Sequence, residues 1–390
     1  MKLRKFLSLM LIVCLVFTMV GCSKGETTSN NDNTGNVADN TGDEDNGKTT
    51  HVIVDHLGNE VEVPNEINRI VVCGLWPLPS VLCVFFDSAE KIVGIPDSCM
   101  SAAKNSILSE LYPEILNAKT EYTTGSDINM EELMKLNPDI VIYNTTTPEL
   151  HDQLEAAGIP GVAFSVNKWN YNAIETLKNW IALLSEMFPE NDKVDIVNAK
   201  SDEMYNFVQE RVADIPEEER ERAFFLFNYN DTAVITSGSC FFGQFWADAI
   251  GVKNVAEEIT TDNSGPVNME QIYAWNPSLI FITNFNAAMP EDLYENNLGV
   301  YDFTETDAVK NKNCFKMPLG MYRSFTPGVD TPLTLLYLAK CAYPEKFEDI
   351  DMIAETIKYY KEVFGVTLTQ EQAERIFAPD SEAAKVHLNK

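Results

Sequence analysis

The sequence predicts an α/β protein of two Rossmann-like lobes joined by a long rigid helix. Three observations carry this: short apolar strands alternate with helices in two separate blocks, a strand-free stretch lies between the blocks, and one fourteen-residue pattern occurs once in each. The length of 390 residues agrees, since a single core stops growing beyond roughly 250 to 300 residues. Apolar residues form 45% of the chain and aromatics 10%, which supplies two packed interiors and excludes wholesale disorder.

Residues 1–21 read as an export signal. Lys2, Arg4 and Lys5 precede an apolar run from Phe6 to Val20, too short for the roughly 20 residues of a spanning helix. Thr18 to Cys22 resembles a bacterial lipoprotein box, which makes Cys22 the lipidated first residue of the mature chain and the membrane contact a lipid only. Residues 22–50 are almost wholly polar and acidic and read as a disordered tether.

The first lobe spans residues 51–168. His51 to Asp55 and Glu60 to Val63 alternate around Leu57-Gly58-Asn59 and form a hairpin. Strands follow at Ile67 to Val72, Lys91 to Ile95, Asp139 to Tyr143 and Gly161 to Phe164, with helices at Leu78 to Phe86 and Pro148 to Ala157, an order that implies a parallel sheet. The connector, residues 169–221, holds an apolar stripe at Ile174, Leu177, Ile181 and Leu184 and, after Pro189, a helix from about Asn191 to Ala213, about 35 Å at 1.5 Å per residue. The second lobe, residues 222–390, has strands at Ala223 to Phe227, Ala233 to Thr236, Leu279 to Thr283 and Cys314 to Met317, a helix at Phe242 to Ile250, and helices after Pro327.

The repeat runs Asn129-Met130-Glu131 to Asn137-Pro138-Asp139 and recurs ungapped 139 positions on as Asn268-Met269-Glu270 to Asn276-Pro277-Ser278. Each copy reads as an Asn-capped helix, an Asn-Pro stop and a buried strand. Two readings of Glu131 and Glu270 stand: acidic first-turn residues that favour the helix dipole, or a symmetric pair of docking pegs on corresponding surfaces.

Charge and motifs exclude several classes. A formal charge of −30, deepening to about −33 once the signal is removed, repels nucleic-acid backbones. Four scattered histidines poorly supply a metal site, and the chain holds no GxGxxG after a strand, no GxxxxGK, no HExxH and no GxSxG. Cys73, Cys83, Cys99, Cys240, Cys314 and Cys341 read either as disulfides in any of 15 pairings or as small buried hydrophobes.

The tether, the Asp55 to Pro64 hairpin, Arg69-Ile70-Val71-Val72, the Glu-x-x-x-x-Leu-x-Pro-Asp-x-Val run and Pro318-Leu319-Gly320 together resemble the iron-complex and corrinoid family of ABC-transporter substrate-binding lipoproteins, over nearly all of residues 51 to 380. The resemblance implies a monomeric, lipid-anchored, extracytoplasmic carrier of a metal chelate, held in a cleft between the lobes. It further implies delivery to a permease dimer with its ATPase, glutamates at Glu131 and Glu270 pairing with permease arginines, and no cofactor, no resident metal and no catalysis. Ferric siderophore, haem and corrinoid all fit. Loops after predicted strands supply the candidate ligand contacts Trp76, Trp169, Tyr171, Tyr322, Arg323 and Phe325, with Lys168 a weaker one. From a different class, a surface lipoprotein enzyme or adhesin on the same scaffold is the alternative, told apart by turnover of a bound compound.

Overall fold

The computed structural model describes residues 49–125 and 127–387; the signal, Cys22 and the tether as far as residue 48 lie outside the described residues. Thr50–Val54 pairs antiparallel with Glu60–Pro64, His51 opposite Val63 and Ile53 opposite Val61. The period of two sends Ile53, Val61 and Val63 inward and leaves Val52 and Val54 exposed. Asp55 closes the turn by accepting from the Leu57 and Asn59 amides at 2.9 and 2.8 Å. Its other oxygen takes the Ala163 amide at 3.2 Å and ties the hairpin to the first sheet.

That sheet runs Ile92–Gly94, Ile70–Cys73, Ile140–Asn144, Gly161–Phe164 in space, all parallel. Parallel strands are covered on both faces, so they read as unbroken apolar runs. Ile70, Val72, Ile142 and Phe164 face one core, while Val71, Val141, Tyr143 and Ala163 face a smaller one closed by Leu133, Leu150 and Leu154. Between Ile95 and Asn129, where the sequence suggested no element, short helices form at Asp97–Lys104 and Leu108–Leu111; they are too brief for a 3.6-residue period to register.

The second sheet is mixed: Ser264–Val267, Val234–Ser237, Arg222–Tyr229, Leu279–Ile282, Cys314–Lys316, with Lys253–Asn254 beside Arg222 and Ala223. Its last three strands are parallel, and Val234–Ser237 runs against both its neighbours.

Helix Ala173–Met187 buries Leu177, Trp180, Ile181 and Leu184 in the first core. After Pro189, helix Val194–Val212 starts there with Val197 and ends in the second core with Val208 and Val212. Its 19 residues rise about 28 Å, so a single rod joins the lobes, shorter than the sequence suggested.

One boundary differs. Residues 222–390 read as a single lobe, yet of the α-helices after Pro327 only Thr331–Ala342 packs mainly in the second core, through Leu335, Leu336, Leu338 and Ala339. Helices Met352–Phe364 and Gln370–Phe377 return to the first core, where Tyr359, Tyr360, Val363, Phe364, Ala373 and Ile376 are buried with Val81, Phe85, Leu177 and Ile181. An apolar stripe demands burial without specifying a partner, and the face these helices cover is on the other lobe.

Candidate ligand cleft and docking surface

The junction between the lobes is built from loops at strand ends. Strand Ile70–Cys73 stops at Gly74, whose φ of +66° suits a residue without Cβ, and Asn144 Nδ2 donates to its carbonyl at 3.0 Å. Trp76 follows, half-buried, its carbonyl accepting from Cys99 Sγ at 3.0 Å. Its ring lies 6.4 Å from that of Phe285, on the loop after strand Leu279–Ile282 of the other lobe.

Polar side chains fix that loop from beneath. Asn284 Nδ2 donates to the Met317 and Pro318 carbonyls, and Asn286 Nδ2 to those of Leu226 and Phe227. Lys316 Nζ donates to the carbonyls of Thr283, Asn286 and Ala288 at 3.0, 2.8 and 2.8 Å. Burial pulls the Lys316 ammonium down to about 7.

Arg323 is fully buried at the junction. Its guanidinium lies 5.1 Å from the Phe285 ring centroid and 5.3 Å from that of Tyr322. Nη1 donates to the Tyr322 hydroxyl at 2.9 Å, and Nη2 to the Ala383 carbonyl at 2.6 Å. Ala383 belongs to the final 3-10 segment, Ser381–His387, which also accepts from Ser101 Oγ of the first lobe at 3.3 Å. The tail therefore touches both lobes over the arginine.

Behind Arg323 an enclosed space of about 10 Å³ is lined by Ser80, Tyr322, Ser324, Asp330 and Thr331, room for about one water. Asp330 accepts from the Met321 amide at 2.7 Å and from Tyr360, and burial pushes its carboxyl up to about 6. A Cβ at Gly320 would stand 2.4 Å from Asp330 Oδ2, so only glycine lets the loop pass.

The six candidate contacts part company. Trp76, Tyr322 and Arg323 come together. Tyr171 instead clasps the lobes: it is buried against Phe241 and Phe242, and its hydroxyl donates to Asp262 at 2.7 Å. Trp169 turns to the first lobe, edge-on to His56 at 5.0 Å, and Lys168 Nζ donates to the His56 carbonyl at 3.0 Å. Burial, then Lys168, holds the His56 imidazole down to about 4. Phe325 is second-lobe core, within 6.0 Å of Phe225, Phe227, Phe241 and Phe242. Phe285 escaped the sequence reading, although its position after a strand was the usable signal; the Ala383 carbonyl had none. The six described cysteines are free thiols, and no group of three or more His, Cys, Asp or Glu among the described residues is placed to hold a metal.

The repeat folds as two matching units. Helix Met130–Lys135 is capped by Asn129, which accepts from the Glu132 amide at 3.2 Å, and helix Met269–Trp275 by Asn268, which accepts from Gln271 at 2.8 Å. Glu131 and Glu270 are both exposed. Lys135 bonds Glu131 and Glu132 at 3.2 and 2.7 Å, whereas among the described residues Glu270 has no ion-pair partner.

Residues 85–319 match the family model described as periplasmic binding protein. A periplasmic solute binding protein of Veillonella parvula superposes with a TM-score of 0.74 at 26% identity, covering 85% of this chain and 97% of that one. The molybdate-binding protein MolA of Haemophilus influenzae is 26% identical over 344 residues, 83% of this chain and 93% of the relative. Its molybdate-bound structure gives a TM-score of 0.68 at 25% identity, covering 82% and 99% of the two chains. Helicobacter pylori CeuE with nickel bound, 23% identical with a TM-score of 0.67 over 84% of this chain and 99% of that one, shares the fold. With two α/β lobes, a helical strut and a junction lined from both sides, the chain belongs to the periplasmic binding protein family, and it is the solute-binding component of an ABC importer rather than an enzyme.

Proposed function

We propose that the chain captures an anionic metal chelate at Arg323 and hands it to its permease, with Glu131 and Glu270 as the docking pegs. The observation that carries this is the fully buried guanidinium at the lobe junction, set among Phe285, Tyr322 and, by way of Phe285, Trp76 of the first lobe. A buried cation suits an anionic group, and flat rings suit a planar or greasy ligand. Ferric siderophore, haem and corrinoid fit that description. The metal arrives as cargo, and the carrier is a monomer tethered through lipidated Cys22 with no cofactor of its own. A metal oxyanion is the second reading, favoured by the molybdate-binding relative, which aligns over 93% of its length.

Tryptophan fluorescence titration of the mature protein with ferric citrate, haemin, cobalamin and molybdate tests this. One of the four is expected to quench saturably, and Arg323→Ala is expected to weaken that binding by roughly 1 to 4 kcal/mol. An unchanged affinity in a variant that still melts cooperatively removes Arg323 from the site.

A further inference from the structure

Both repeat helices carry a second exposed feature besides the glutamate. Met134 and Tyr273 are 47% and 39% exposed, and each lies three residues after its glutamate, at matching positions of the repeat. Residues three apart are neighbours on a helix surface. An isolated exposed apolar side chain needs no explanation, but two at matched positions do, because charged residues beside them have diverged. Glu132 and Lys135 of the first copy correspond to Gln271 and Ala274 of the second. Even so, each helix keeps a formal charge of −1: Glu131 and Glu132 against Lys135 in one, Glu270 alone in the other. The Tyr273 hydroxyl donates to the Asp302 carbonyl at 2.5 Å, which fixes its ring before any partner arrives.

We propose that each lobe docks through two points, the carboxylate and the apolar side chain one turn on. The permease would then present, twice and in matching geometry, an arginine beside an apolar pocket. The inference rests on the docking reading above and adds the apolar half of the contact. Arginine is the partner because its planar fork matches a carboxylate, and a chain of −30 facing it supplies the complementary charge.

The test measures docking of the full chain to its permease–ATPase complex in nanodiscs, at several salt concentrations. Met134→Gln combined with Tyr273→Gln is expected to weaken docking by about 10- to 100-fold and leave its salt dependence unchanged. Glu131→Gln combined with Glu270→Gln is expected to weaken docking and flatten that dependence. Tyr273→Phe, which keeps the ring, should dock nearly as the unaltered chain does, and melting curves confirm that each variant is folded. Normal docking of the Met134/Tyr273 variant beside weakened docking of the glutamate variant overturns the apolar contact alone. Normal docking of both overturns the docking reading and this inference with it.

Discussion

The two lobes are alike where they brace the repeat and unlike where they meet. At the start of the first sheet Arg69 donates to the Leu136 and Asn137 carbonyls, and Arg222 donates to the Asn276 carbonyl in the second. Asn137 and Asn276 both turn left-handed before their prolines, φ +45° and +42°. Asp139 accepts from the Asn68 and Arg69 amides, and Ser278 from that of Arg222. The carboxylate and the hydroxyl thus do the same work at the same place. At the junction the first lobe contributes Trp76 and the second Arg323, Tyr322 and Phe285, with no such correspondence. A symmetric exterior suits a partner that presents its surface twice, and an asymmetric interior suits a ligand that is not symmetric.

Charge reversal gives the largest expected effect. Glu131→Arg with Glu270→Arg is expected to abolish uptake in cells carrying the cognate permease while ligand affinity holds, since two clashes replace two attractions. Each single reversal should cost a similar share. Normal uptake with a lowered melting temperature would reduce both residues to helix-dipole partners, and strongly unequal single effects would break the symmetry of the exterior.

Opposite pH slopes come next. His56, of the first lobe, is held at about 4 against an ordinary 6.5, so the unfolded chain binds the extra proton between those values. Its stabilisation is present above about 6.5 and is lost as pH falls. Asp330, at the junction, is raised to about 6 against 3.8. Its stabilisation is present below about 3.8 and is lost as pH rises through 6, on the order of 3 kcal/mol at most. Melting temperatures between pH 4 and 7 should therefore climb more steeply with pH in Asp330→Asn and less steeply in His56→Gln. Slopes that move together would refute the assignment.

The smallest effect sharpens the likeness of the lobes. Asn129→Ala and Asn268→Ala each remove a helix cap and should each cost about 1 kcal/mol, equal within error by chemical denaturation. A marked inequality would show that one copy of the repeat bears strain the other does not.

Most strands and the repeat were legible because buried parallel strands and helices marked by a cap or a proline at their start write themselves into local sequence: Gly161–Phe164 and Leu78–Phe86, with Pro77 before it, fall where the pattern put them. The return of Tyr359, Tyr360 and Phe364 to the first core was not legible, since a stripe of apolar residues carries no address. At the junction, Trp76 and Arg323 were marked by Gly- and Pro-bearing loops after strands. Trp169 shared only the position after a strand and Phe325 the glycine-bearing loop as well, yet they turn to His56 and to four phenylalanines, because which way a ring turns is set by neighbours distant in sequence. Lys316 read as an ordinary strand residue; only the fold gives it three carbonyls to hold.

The homecoming of the last helices bears on biosynthesis. Synthesis is vectorial, and the core that residues 51–168 begin cannot be finished until Tyr359, Tyr360, Val363 and Phe364 have emerged. For nearly the whole of translation the nascent polypeptide therefore lacks a part of its first core. An interior completed only by its final residues holds back the folding of the first lobe until synthesis is nearly over. A premature stop near residue 350 would accordingly damage the earliest-made lobe, the one whose own codons were all read correctly.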